Sequence, residues 1–438
     1  MKLLHILSLL FIIILGACMP QKPPSPPATS PYAAQPNIHP YNMKHSDVQH
    51  FDVRVASTAP LRNNYSPTPQ TASQQNAYPQ TSNQSTEVKV GLLLPLTGAN
   101  SKLGQNMLDA AMLGLSDKYA LSNNNTRIML LPKNTGDTPK NAIKAANDAI
   151  KDGAKLLLGP LDAASTNSIK PIASKAGIDI ISFSNNITVA DDKTFIMGFM
   201  MQEQITQIIA HISKQNKQHL AILLPSNNSS DALETLLRQA IATSGINETS
   251  IVKYGAGTND FNLVIGQLNN NVASKMQAGL PPADAVLILE GGERAAQLIA
   301  TLRAQPTSTQ YSYYGIGLLD NQALLGKPEL IGVEFASSSA RNFQQFARRF
   351  EHEYGYSPSR ISSLGYDAIS IAADILATAP SPNSNIIHSS ITRSNGFVTP
   401  ANGLIRFNAN GSNQRSLAIM RIENGKMNEI SPAKRIFE

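Results

Sequence analysis

Three short stretches carry small polar side chains at places suited to holding a ligand. They are Thr97-Gly98, the run Gly159 to Thr166 with Asp162, Ala163, Ser165 and Thr166, and Ser184-Asn185-Asn186. Each follows an apolar, strand-like segment. At the end of a parallel strand, hydroxyls, amides and the first N–H groups of the next helix can bind a small molecule and favour an anion. Glu290, ahead of Gly291-Gly292, and Asp320 are weaker candidates of the same kind, since carboxylates beside surface turns are ordinary. Asp162 in such a place would repel a carboxylate, and Ser165 reads equally well as the N-cap of its own helix.

Catalytic chemistry finds little support. Gly255-Ala256-Gly257 and Gly315-Ile316-Gly317 each begin a dinucleotide fingerprint, but Asp260 and Asp320 stand where the third glycine belongs, so both read as turns. There is no Walker A sequence, no Gly-x-Ser-x-Gly elbow and no His-Glu-x-x-His. In the region expected to fold, His211, His219, His352 and His388 have no metal-ligand spacing. The expectation is a non-enzyme without metal or cofactor. Nucleic acid is not an expected partner either: half of the formal net charge of +6 lies before residue 87, and no basic cluster follows.

Cys18 is the single cysteine, which excludes an intramolecular disulfide and a thiolate metal site. Lys2 and the apolar run Leu3 to Leu15 have the form of a signal sequence too short to span a bilayer comfortably. The sequence Leu15-Gly16-Ala17-Cys18 resembles the lipobox of bacterial lipoproteins. That implies removal of residues 1–17 and acylation of Cys18. Met19 in place of an aspartate then implies the outer membrane as the anchoring site. Residues 19–86 hold 12 of the chain's 27 prolines among Ser, Thr, Gln and Asn, a composition that cannot bury enough apolar surface to fold and reads as a tether.

From residue 87 onward, strand and helix patterns alternate. Val88 to Leu94, Arg127 to Leu131, Lys155 to Leu158 and Asp179 to Phe183 read as buried strands. Between them, Thr138-Pro139 starts a helix with Ile143, Ala146 and Ile150 inward. A second series runs from the helix at Met201 through strands at His219, Ser250, Ala285 and Tyr313. Alternation of this kind means parallel sheets covered by helices. The expected fold is α/β, two doubly wound Rossmann-like lobes. Two helices then come in succession, one bearing Phe343, Phe346 and Phe350 and ending at Gly355, the next capped by Ser357-Pro358 with Ile361 on its inner face. We assign the first lobe to about 87–197 and 332–380, and the second to about 198–331 and 381–438.

The segments VKVGLLLPLTGANSKLGQNMLDAAMLGL, LPKNTGDTPKNAIKAANDAIKDGAKLLLGPLDAAS, IDIISFSNN and NGLIRFNANGSNQR resemble the type 1 periplasmic binding fold of leucine-binding proteins. More closely, the chain resembles the lipoproteins known as penicillin-binding protein activators. The resemblance implies two hinged lobes around a ligand cleft, a periplasmic location, and a bifunctional penicillin-binding protein as partner in peptidoglycan synthesis. In the amino-acid binders the second and third turns grip the ligand's charged ends; Ser165 and Thr166 match them here, whereas Asp162, Ala163 and Asn185-Asn186 depart. The alternative is the solute receptor of an ABC importer for amino acids or related molecules. A cryptic hydrolase is the weakest reading.

Overall fold

The apolar run from Val88 forms the centre of strand β1 (Thr86–Leu94), with Val90 and Leu92 to Leu94 fully buried. It is followed by α1 (Ser101–Leu121), β2 (Thr126–Asn134), α2 (Pro139–Lys151), β3 (Leu156–Leu158), α3 (Ala163–Ala176), β4 (Ile180–Ser182) and β5 (Thr194–Ile196). The structure, a computed structural model, describes residues 86–437 except 122–125, 228–229, 307–309 and 378–382. The expected signal sequence, Cys18 and the tether as far as residue 85 fall outside the described residues. Thr86, expected to close the tether, is the first residue of β1.

The five strands make one parallel sheet in the order β2-β1-β3-β4-β5. Thr138 caps α2 by accepting the Asn141 N–H at 3.3 Å, with Pro139 in the first position. Its buried stripe is Ala142, Ala145, Ala146 and Ala149, not the expected one through Ile143, which is exposed. Alanines let the helix lie close on β1, where a Cβ at Gly91 would come within 3.0 Å of Ala149 Cβ.

The second series is α4 (Met201–Lys214), β6 (His219–Ser226), α5 (Ser230–Ala242), β7 (Asn247–Gly255), α6 (Phe261–Gln277), β8 (Ala285–Ile288), α7 (Gly292–Arg303), β9 (Ser312–Ile316) and β10 (Glu334–Ser337). After it come α8 (Ala340–Tyr354), α9 (Ser363–Leu376), α10 (Ser384–Ile391), β11 (Phe397–Thr399), β12 (Gly403–Phe407), β13 (Asn413–Arg415), β14 (Ala418–Glu423) and β15 (Lys426–Ser431). The second sheet has the order β15-β14-β10-β9-β8-β6-β7, antiparallel only where β14 joins β10 and β15. A third, antiparallel sheet is β11-β12-β13.

The α/β fold with parallel sheets is as expected, but the chain changes lobes at other places than the assignment above. Residues 332–337 stay with the second lobe, because β10 pairs with β9 and Phe335 enters that lobe's core. Conversely, Phe397, Ile405 and Phe407 pack with Phe195 and Ile375 in the first lobe, where the assignment gave 381–438 to the second. Only from Leu417 and Ala418 does the chain rejoin the second lobe's core. The crossovers are therefore Met197–Met200, Ser338-Ser339 and Ser416-Leu417. The paired helices return to the first lobe as expected: Phe343, Phe346 and Phe350 of α8 pack on Ala110 and Leu113 of α1. α9 begins at Ser363 and not behind Ser357-Pro358, and Ile361 is exposed ahead of it. The intervening turn is closed by Ser362 N–H donating to Ser359 Oγ at 3.1 Å, which leaves Arg360 free to reach the second lobe.

Candidate functional site

Because β1, β3 and β4 are adjacent and parallel, the three polar turns leave the first sheet along one edge. Each turn is already tied by the chain's own groups. Behind β1, Asn134 accepts the Leu96 and Gly136 N–H groups and donates to Thr97 Oγ1 at 2.9 Å, while Asp137 takes the Ala99 N–H at 2.5 Å. Gly98 has φ +92°, and a Cβ there would fall on the Asp137 carboxylate.

Behind β3, the cap of α3 is Asp162, which accepts the Ser165 N–H at 2.8 Å; Ser165 itself, one of the two readings above, does not serve as the cap. Thr166 is fully buried, donating to the Asp162 carbonyl and meeting Ser182 Oγ, both at 2.7 Å. It stitches α3 to β4. Ala163 packs on Val189, Ile196 and Met200. Behind β4, Ser184 Oγ accepts the Asn186 N–H at 3.1 Å and Asn186 Oδ1 holds Thr188, which leaves the Asn185 side chain exposed.

In the second lobe, β8 and β9 are neighbours, so Glu290 and Asp320 also share an edge. Glu290 Oε2 accepts from Tyr254 at 3.2 Å and from Arg294 at 3.1 Å, and burial beside this carboxylate pushes the Tyr254 hydroxyl well above its usual pKa. Asp320 is nearly buried. It takes Ser337 Oγ and the Arg360 guanidinium, each at 2.5 Å, so it joins the turn after β9 to the loop before α9.

The first crossover ties the two edges together. Gly198 N–H donates to the Ser184 carbonyl at 3.1 Å, and Gln204, one turn into α4, accepts the Gly317 N–H at 2.7 Å. The third crossover is bound to it as well: Arg415 donates its backbone N–H to Glu203 at 3.0 Å and its Nη2 to the Met197 carbonyl at 2.6 Å. Burial raises the Glu203 carboxyl to about 7 and lowers the Arg415 guanidinium to about 10. Asp367, wholly buried on α9 and also raised by burial, takes Thr399 Oγ1, the Ala401 N–H and Asn402.

Sequence reasoning missed Asn134, Asp137, Glu203, Arg360 and Arg415. It also missed two exposed apolar side chains on these turns, Ile187 (44%) and Leu318 (47%), and read Ile361, exposed in the loop before α9, as inward-facing. For Ile187 the available signal was its setting, since an isoleucine between Asn186 and Thr188 has no core to enter. The arrangement offers hydrogen bonds and apolar contact, the means of binding. Among the described residues no three His, Cys, Asp or Glu gather in a way that could hold a metal. His211 bonds to Glu334 at 2.6 Å, and His388 to Asp179 at 3.3 Å.

Known proteins share this architecture. A structure described as a branched-chain amino acid ABC transporter from Rhodospirillum rubrum superposes with a TM-score of 0.69 at 20% identity, covering 78% of this chain and 100% of that one. The branched-chain amino acid transporter substrate-binding protein of Streptococcus pneumoniae, in complex with isoleucine, superposes at 0.58 with 17% identity, covering 80% and 99%. An uncharacterized protein of Rickettsia prowazekii is 26% identical over 155 residues, a match spanning 35% of this chain and 40% of that protein. The family model for the periplasmic binding proteins matches residues 87–426, a span that takes in all three crossovers and stops at the first residue of β15. By fold, by crossovers and by sequence profile, the chain belongs to the periplasmic binding protein family.

Proposed function

We propose that the protein is a solute receptor of an ABC importer, held to a membrane through Cys18 and residues 19–86, whose lobes close on a small ligand at the strand-end turns. The observation that carries this reading is that one crossover and the start of α4 hold both the turn after β4, through Gly198 and Ser184, and the turn after β9, through Gln204 and Gly317, while the turns after β1 and β3 share the first of these edges and that after β8 the second. Hinge closure around such a place is a known device of two-lobed binders. Neighbours of the same fold are named as ABC transporter proteins, which supports the reading. The exposed Ile187, Leu318 and Ile361 suit a ligand with an apolar part.

One observation favours the second reading, an activator that docks on a bifunctional penicillin-binding protein. The Ala99 and Ser165 N–H groups are engaged by Asp137 and Asp162, and Thr166 is sealed in, so the grip on a free amino acid's carboxylate is weakened. A thermal-shift screen of amino acids, amines, aromatic acids and cell-wall fragments separates the two. A true ligand at a hundred times its Kd adds about 2.7 kcal/mol, a readily seen shift. No shift with any compound, together with recovery of a synthase by the purified protein, would replace the receptor with the activator.

A further inference from the structure

Arg415 sits at the end of β13 with its side chain buried, and its Nε and Nη1 have no acceptor among the described residues. Only Nη2 is engaged, at the Met197 carbonyl, and the guanidinium faces the Phe199 ring at 5.0 Å. A buried charged donor without a partner is costly and calls for an explanation. Glu203 is placed to supply it. One of its oxygens takes the Arg415 backbone N–H, so the carboxylate already touches the residue whose guanidinium is unpaired.

The two residues belong to different lobes. Glu203 opens α4, whose Ile205 and Ile208 lie in the second core. Arg415 belongs to the third sheet, which is pinned to the first lobe by Ile196 N–H donating to Gly411 and by Asn413 holding the Ile196 and Gly198 carbonyls. Other charged groups are already committed. Asp367, on α9, acts on Arg415 by its charge but spends its oxygens on three other donors and is not hydrogen-bonded to the guanidinium, and Arg360 is drawn off by Asp320. On the other elements packed against α4, Glu334 and Arg421 gather around His211 at its far end, and Glu234 and Arg238 of α5 pair with each other at the surface.

We propose that Glu203 and Arg415 form a proton-gated switch between the lobes: with Glu203 protonated the crossovers hold the arrangement described here, and with it ionised the carboxylate moves onto the Arg415 guanidinium and turns the second lobe about the first. The direction follows from linkage. Burial disfavours the charged carboxylate here, whereas a guanidinium partner favours it, so raising the pH through neutrality populates the paired arrangement. The switch rests on the lobe motion of the receptor reading but needs no ligand.

The test uses the full chain carrying Cys18→Ser, with nitroxide labels on cysteines placed at the exposed Lys144 of α2 and Gln239 of α5. Pulsed electron resonance reads the distance distribution without ligand at pH 5.5 and 8.5. The expected result is a several-fold change in the ratio of two distances, with a midpoint near neutrality, abolished by Glu203→Gln. The amide of that variant can still accept the Arg415 N–H, and circular dichroism checks that it folds. A distribution independent of pH in the parent chain overturns the proposal, as does an unchanged pH response in Glu203→Gln. Because ligand is absent throughout, a failed ligand screen and a failed switch are separate outcomes.

Discussion

Replacing Gly365 by alanine tests how the late helices are held to the first lobe. α9 crosses α1 with its backbone in contact: a Cβ on Gly365 would stand 2.3 Å from the Met107 carbonyl oxygen and 3.2 Å from its carbon. On the facing helix, a Cβ at Gly114 would be 2.9 Å from the Tyr366 carbonyl. Ordinary contact begins near 3.4 Å, so α9 must retreat by about 1 Å, and no side-chain rotation can relieve a clash with backbone. Met107, Ala111, Leu364 and Ala368, all buried along this crossing, lose packing together. Overpacking of this kind costs roughly 1–3 kcal/mol. At about 2 °C per kcal/mol for a large domain, calorimetry should find Tm lowered by about 2–6 °C. Gly266, on the exposed face of α6 with nothing within 4 Å, is the control. There the same change should stabilise by about 0.5–1 kcal/mol through helix propensity. A Gly365→Ala protein as stable as the parent would refute the close crossing, and a loss at Gly266 of similar size would show that the effect is not steric.

Substitutions at two further positions probe the buried acceptor of α9 and the cap of α3. Asp367→Ala strips the buried acceptor from Thr399, Ala401 and Asn402 and should cost about 3–5 kcal/mol in a urea titration, with Asp367→Asn milder because the amide oxygen still accepts. Asp162→Ala should lose about 1 kcal/mol by uncapping α3, whereas Asp162→Ser, which keeps a capping oxygen, should lose less than half of that; equal losses would mean that the cap contributes nothing.

The alternation of strands and helices was legible because buried parallel strands are continuous apolar runs, as in Val88 to Leu94. Segments that escaped notice had a physical reason to. β10 is four residues, Glu334 to Ser337, and its burial comes from β9 and β14 on either side, partners distant in sequence. α6 was overlooked although Phe261, Val264, Ile265, Leu268 and Val272 have helical spacing behind the Asp260 cap. Asp260, which breaks the Gly255-Ala256-Gly257 fingerprint, accepts the Asn262 N–H as the cap of that helix. At the site, the order of strands and helices identified which turns share an edge. It could not identify what each side chain bonds. Asp320 meets Arg360 forty residues later, and Glu203 meets Arg415 across 212. Such pairs follow from where the crossovers fall, which local pattern leaves undetermined.

Membership of the family fixes the scaffold, and the self-tied turns bear on the ligand. Asp137 and Asp162 both lie exposed at the first lobe's edge, each spending one oxygen on a backbone N–H. An external carboxylate about 4 Å from either would meet roughly 1–4 kcal/mol of repulsion, from bulk water to a protein-surface dielectric. Each 1.4 kcal/mol is tenfold in affinity, so a free anion forfeits up to several orders of magnitude, while an ammonium in the same place gains by the same terms. Neutralising one of these groups by Asp162→Asn, which keeps a capping oxygen, should therefore weaken an amine ligand and strengthen a carboxylate. Under the receptor reading, then, a zwitterionic solute presents its ammonium, and not its carboxylate, to the turns after β1 and β3.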